Sequence, residues 1–128
     1  MLRAVYATRP RELITDILRE ERRYLSAADV FRLLKKARAK VSLSTVYRTL
    51  DLLVARGTAS SRADDHGESS YVFCNSEHHH HAICRDCGLV EEVDCGAMER
   101  FTSALRRHHG FVLDDHALEF YGRCAQCR

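Results

Sequence analysis

The sequence predicts an α+β chain of two small domains: three helices closed by a hairpin, then a smaller α/β domain pinned by cysteines. Three observations predict it. Apolar residues recur at helical spacing in successive stretches before Gly57 and in short strand-like runs after it. All six cysteines, and seven of the eight histidines, lie at or after Cys74. Charge divides at the same place: through Cys74 there are 14 Lys and Arg against 9 Asp and Glu, and beyond it 6 against 9. The net +2 therefore hides a basic half beside an acidic one, as expected of a polyanion-binding module joined to something else.

Composition narrows the class. With 45% hydrophobic and 30% charged residues the 128-residue chain is too apolar to be disordered, and it suits one ordinary domain or two small ones. The first ten residues carry Arg3 and Arg9 and no apolar run. No stretch approaches the ~20 apolar residues of a membrane span. A cytoplasmic protein with no membrane partner is expected, and in that compartment six cysteines point away from a disulfide framework.

The elements follow in order. Thr8-Arg9-Pro10 reads as a helix start, with Leu13, Ile14, Ile17 and Leu18 recurring through about Arg22. Ser26-Ala27-Ala28-Asp29 is a capping-box pattern ahead of Val30, Phe31, Leu33 and Leu34. Ser42 or Ser44 caps a third helix bearing Val46, Tyr47, Leu50, Leu53 and Val54, which Gly57 ends. Residues 58–74 read as a hairpin around Asp64-Asp65-His66-Gly67. Three helices and a hairpin make a winged helix-turn-helix, assigned to residues 1–74. Residues 75–81 are expected to be a hinge. Residues 82–128 then form a metal-binding α/β domain, with strands at 81–84, 89–93 and 112–121 and a helix from about Ala97 to His109.

Two C-x-x-C pairs, Cys84/Cys87 and Cys124/Cys127, carry the clearest chemistry. Two thiolates on a tight turn converge on one zinc ion at ~2.3 Å, and a second pair from a distant turn completes a tetrahedron. A redox dithiol, a rubredoxin-like iron site and unligated thiols are the alternatives. A domain of about fifty residues rarely holds together on its apolar core alone, which favours structural zinc.

His78 to His81 form an unbroken run. In an extended segment neighbours point to opposite faces, so His78 and His80 share one face and His79 and His81 the other. Such a run can feed two metal sites or be a solvated polar linker. His116 reads equally as a core histidine, Glu99 as a solvated charge and Cys74 as a buried thiol; co-occurrence with the histidine run is what makes them candidates.

Ser42-Leu43-Ser44-Thr45-Val46-Tyr47-Arg48-Thr49-Leu50, His78-His79-His80-His81-Ala82-Ile83-Cys84-Arg85-Asp86-Cys87-Gly88 and Tyr121-Gly122-Arg123-Cys124-Ala125-Gln126-Cys127, in that order, resemble the ferric uptake regulator family over nearly the whole chain. With Cys74 ten residues before the first knuckle cysteine, the zinc uptake regulator branch is the most similar. The resemblance implies structural zinc on Cys84, Cys87, Cys124 and Cys127. It implies a regulatory metal on Cys74, His79 and His81, and a further metal on His78, His80, Glu99 and His116. It also implies a homodimer that represses transcription from palindromic double-stranded operator DNA. Two positions depart from the pattern. Ser60 stands where the zinc branch has an aspartate ligand, so Asp64, Asp65, His66 or water would have to substitute. Tyr24 stands where several iron and peroxide sensors have a histidine.

On chemistry alone, thiolate with imidazole suits zinc as the regulatory metal, with iron(II) and manganese as alternatives. Tyr47 and Arg48, early in the third helix, are placed to read base edges, with Thr45 beside them. Tyr47 could equally be a core aromatic. Arg11, Lys40, Arg56 and Arg62 are candidate phosphate contacts. An iron-responsive or peroxide-sensing relative, the latter using Cys95 or histidine oxidation, is the alternative within the family. A zinc hydrolase or deaminase is the alternative outside it, but no H-E-x-x-H, H-x-x-E-H or H-x-E with P-C-x-x-C is present. No enzyme activity and no small organic substrate are expected.

Overall fold

The computed structural model describes residues 2–75, 79–96, 98–114, 116 and 118–128, with side chains from Arg9 onward. The chain divides into two compact units, Met1–Ser76 and Glu77–Arg128.

Unit 1 runs α1 (Leu2–Glu21), β1 (Leu25–Ser26), α2 (Ala27–Lys36), α3 (Leu43–Ala55), β2 (Ala59–Ala63) and β3 (Ser69–Phe73). The α1 helix does not start at Pro10 as its sequence suggests; Pro10 lies inside it. A proline forgoes one backbone hydrogen bond, and the helical turns on both sides carry α1 through it. The other boundaries follow local chemistry. Ser26 Oγ accepts from the Asp29 N–H (3.0 Å) and Asp29 Oδ2 from the Ser26 N–H (3.1 Å), a reciprocal cap for α2. Of the two candidate serines, Ser42 caps α3, accepting from the Thr45 N–H at 3.2 Å. Gly57, at φ +78°, takes the left-handed conformation that ends the helix at no steric cost.

The wing is a three-stranded sheet, β1-β3-β2, in which Ser60 pairs with Val72 and Ala63 with Ser69. The extra strand, β1, pairs Leu25 with Tyr71; two residues are too short to leave a periodic signal, and Ser26 already reads as a cap. Ile14 and Leu18 from α1, Val30 and Leu34 from α2, and Val46, Leu50 and Leu53 from α3 close over Leu25, Ala59 and Tyr71 as one core.

Unit 2 runs β4 (His80–Cys84), β5 (Val90–Val93), α4 (Met98–His109) and β6 (Glu119–Gly122). Its sheet has the order β5-β4-β6, antiparallel between β4 and β5 and parallel between β4 and β6. The strand begins at His80, so the last two residues of the expected hinge belong to β4. The strand expected at 112–121 is only its final part: Asp114 and Asp115 interrupt the apolar run with a residue type that strands disfavour, and 111–114 and 116 are irregular. The α4 helix buries none of its residues, and Ile83, Cys84 and Val90 are the unit's only buried apolar side chains among those described. No helix among the described residues is long and apolar enough to cross a membrane.

Leu50 is fully buried at the centre of unit 1. Leu50→Ala is expected to cost about 2–5 kcal/mol, read from the denaturant midpoint of unit 1; a loss under about 1 kcal/mol would place the core elsewhere.

Candidate metal centres and nucleic-acid interface

The two C-x-x-C pairs meet in unit 2. Cys84 ends β4, and its carbonyl accepts from the Gly88 N–H at 2.9 Å, with Gly88 at φ +79° closing the knuckle. Cys124 opens the matching turn, its carbonyl accepting from the N–H groups of Cys127 (3.0 Å) and Arg128 (3.2 Å). Parallel pairing of Cys84 with Gly122 and the Arg85 N–H to Gly122 carbonyl bond (2.8 Å) bring the turns together. All four sulfurs lie within 4.8 Å of one another, with Cys87 and Cys124 Sγ 3.8 Å apart. Two thiolates on a tetrahedral zinc stand about 3.8 Å apart, so the cluster fits that ion in spacing and in donor type.

Proton affinities in the cluster are split. The backbone N–H of Cys87, then that of Cys124, donates toward the Cys84 sulfur and lowers its thiol to about 6. Hydrogen bonding to the Cys124, Cys84 and Cys87 sulfurs holds the Cys127 proton, with its thiol raised to about 12. The cluster thus lowers the proton affinity of one sulfur and raises that of another. A bound dication would resolve that by accepting thiolates from all four.

The histidine strand has two distinct faces. His79 and His81 turn to one, their Nε2 atoms 3.1 Å apart. Glu92 lies opposite His81 in the β4–β5 register, with its carboxylate 3.7 Å from His79 Nε2. Burial first, then the neighbouring His79 charge, pushes the His81 imidazole below its ordinary value of 6.5. At neutral pH it is held in the unprotonated form that ligates a metal. Glu92 was missed in the sequence, although strand pairing could have found it: the residue opposite His81 must share its face.

In unit 1, Cys74 is buried directly after β3, its N–H donating to the Thr58 carbonyl at 2.8 Å. Its sulfur lies 2.9 Å from Ser60 Oγ, so the residue at the aspartate position touches Cys74. Asp64 is not placed to substitute. Its Oδ1 accepts from the His66 and Glu68 N–H groups (2.8 and 2.9 Å), which commits it to the wing turn. It also stands four strand residues beyond Ser60, about 13 Å along the wing. Asp65 and His66 share that exposed tip.

His80 faces the other way. Its Nε2 lies 2.9 Å from Cys95 Sγ, which in turn is 3.3 Å from His116 Nε2. The two imidazole rings are 4.8 Å apart. His116 reaches this group from irregular chain rather than from a strand. Glu99 lies exposed on the first turn of α4 and is not among the donors gathered here, while His78 lies outside the described residues. The third donor, Cys95, was left unassigned to any metal by the sequence pattern.

The exposed face of α3 carries the candidate base readers. Tyr47 is 46% exposed, which excludes a core role, and Arg48 is exposed one residue on. Arg48 Nη2 donates to Thr45 Oγ1 at 3.3 Å, and Ser42 Oγ to the same oxygen at 2.9 Å, so cap and reader are linked. Lys40 and Arg56 are exposed near opposite ends of α3 and Arg11 is half-buried on α1. Arg62 lies over the Tyr24 ring, its guanidinium carbon 4.1 Å from the centroid.

A winged helix in one unit and clustered thiolates and imidazoles in the other suit a metal-responsive DNA-binding protein, and comparison with known proteins agrees. Residues 3–121 match the model of the Ferric uptake regulator family. A ferric uptake regulation protein of Cupriavidus metallidurans is 37% identical over 121 residues, covering 94% of this chain and 85% of its own. A zinc uptake regulation protein of Mycobacterium tuberculosis is 35% identical over 97% of this chain and 95% of its own. Among solved structures, the M. tuberculosis zinc uptake regulator FurB aligns with a TM-score of 0.59 at 35% identity, covering 97% and 96% of the two chains. A zinc-bound manganese uptake regulator aligns with a TM-score of 0.66 at 35% identity, covering 89% and 86%. The chain belongs to the ferric uptake regulator family: it is a metal-dependent transcriptional repressor and not an enzyme.

Two outcomes are expected of these centres. Cys124→Ser should release zinc to a chelator that leaves the wild type loaded, and should unfold unit 2 while the α-helical core of unit 1 persists, as seen by NMR. A unit 2 that stays folded without zinc would refute the stapling role. In metal-free protein, the His81 ring should titrate below 6.5 in an NMR pH series. A depressed imidazole favours the folded state above 6.5, and that contribution is lost as pH falls through 6.5 toward the folded value; a midpoint at or above 6.5 would contradict it.

Proposed function

We propose that this repressor responds to zinc and binds a palindromic operator as a homodimer. The observation that carries the reading is the paired His79 and His81 imidazoles facing Glu92 at the start of unit 2. Cys74, the thiolate that the family resemblance assigns to the same metal, precedes them by a few residues. Imidazole and thiolate favour zinc over iron(II), and Glu92 supplies the carboxylate that Ser60 cannot. Structural zinc on Cys84, Cys87, Cys124 and Cys127 belongs to the same proposal. Homodimer formation is supported by the apolar side chains that unit 2 leaves exposed: Phe101, Phe111, Val112, Phe120 and Tyr121.

Control of DNA binding then follows from geometry. Two α3 helices of a dimer must enter major grooves roughly 34–36 Å apart, and a small error in spacing or tilt forfeits half of the contacts. A metal shared by Cys74 and the His79/His81 pair would fix the chain between the DNA-reading and dimerising units. Without it the competent arrangement is a fraction of the ensemble, and apparent affinity falls by that fraction. Metal and operator strengthen each other's binding equally. Tyr47 and Arg48 read bases, Thr45 supports Arg48, and Lys40, Arg56 and Arg11 hold phosphates.

Iron(II) is the second reading, favoured by the Glu92 oxygen donor. The test titrates zinc, iron(II) and manganese against binding to a palindromic operator, in wild type and Cys74→Ala, at fixed salt. Operator affinity is expected to rise at least about tenfold with zinc, a coupling of roughly 1.4 kcal/mol, and to lose that gain in Cys74→Ala. Selective tightening by iron(II), or a zinc response untouched in the variant, would overturn the zinc reading.

A further inference from the structure

We infer that Cys95 is a metal ligand, giving the His80 and His116 face a thiolate donor and so a preference for zinc-like ions. The inference rests on the reading of this chain as a metal-responsive repressor and concerns its second histidine face.

Three observations carry it. First, the donor atoms are spaced as ligands of one ion. A nitrogen and a sulfur on a common tetrahedral zinc lie about 3.5 Å apart, and the Cys95 sulfur stands 2.9 and 3.3 Å from the two imidazole nitrogens, so a slight opening admits the ion. Second, the backbone around Cys95 is fixed from both sides. Asp94 Oδ1 accepts from the Gly96 N–H at 2.9 Å, and the Cys95 carbonyl accepts from the Met98 N–H at 3.0 Å, at the entry to α4. These bonds set the turn that presents the sulfur to His80. Third, Glu99, the carboxylate that the resemblance assigns to this site, lies outside the gathered donors.

The substitution of thiolate for carboxylate has a chemical consequence. Metal binding displaces the Cys95 thiol proton to solvent and leaves a sulfur–metal bond beside two neutral imidazoles. A carboxylate in that place would serve manganese or iron(II) well, whereas a thiolate favours zinc and cobalt(II).

The test uses the whole chain, purified with zinc, cleared of weakly bound metal by a chelator and titrated with cobalt(II). Thiolate ligation gives a near-ultraviolet charge-transfer band, which Cys95→Ser is expected to lower by roughly half and Cys74→Ser by the remainder, each removing one thiolate. In parallel, zinc should protect Cys95 of the wild type from iodoacetamide, read by mass spectrometry, which requires no variant and no retained fold. An unchanged band in folded Cys95→Ser, or alkylation of Cys95 indifferent to zinc, overturns the inference. Neither result touches the zinc response of operator binding, which depends on Cys74, so the two readings fail separately.

Discussion

The convergence of four sulfurs from two tight turns is the constraint on which unit 2 depends. Its helix buries nothing, and the apolar side chains buried among the described residues are too few to offset the conformational entropy of ordering some fifty residues. Structural zinc in small peptides contributes roughly 10–16 kcal/mol, more than any plausible deficit. Because Cys84 ends β4 and Cys124 follows β6, closure of the cluster also sets the parallel register of those strands. Zinc on those sulfurs, as proposed, would hold the histidine strand in place from its end.

That strand sorts chemistry by parity. His79 and His81 share a face with Glu92, and His80 opposes them beside Cys95 and His116. The two donor sets differ by the side of one pleated strand. Each can be altered by substitution without rebuilding the other, so one small sheet presents two separate donor sets.

Much of this was legible before any coordinates. Ser26, Ser42 and Gly57 mark helix boundaries because capping is local chemistry, and Asp64-Asp65-His66-Gly67 marks a turn for the same reason. The parity of the histidine run follows from strand geometry alone. What could not be read is non-local. Glu92 gains its meaning only from the β4–β5 register, and Cys95 only from a turn that folds back beside His80. The Pro10 position misled because a proline favours a helix start, whereas α1 carries it in its interior at the loss of a backbone hydrogen bond. The strand expected from residue 112 misled because apolar residues flank Asp114 and Asp115 without alternating through them.

The placement of β6 carries a cost of its own. It is an edge strand, and Phe120 and Tyr121 on it are about half exposed, with Phe111 and Val112 more open still. A bare, oily strand edge invites whatever backbone comes near, so a solitary copy is exposed to misassociation until something covers that flank. Should another copy do so, integrity becomes a matter of mass action: dilution would loosen the fold as well as the pairing, and the abundance of the chain in its cell would bear on how long each molecule survives.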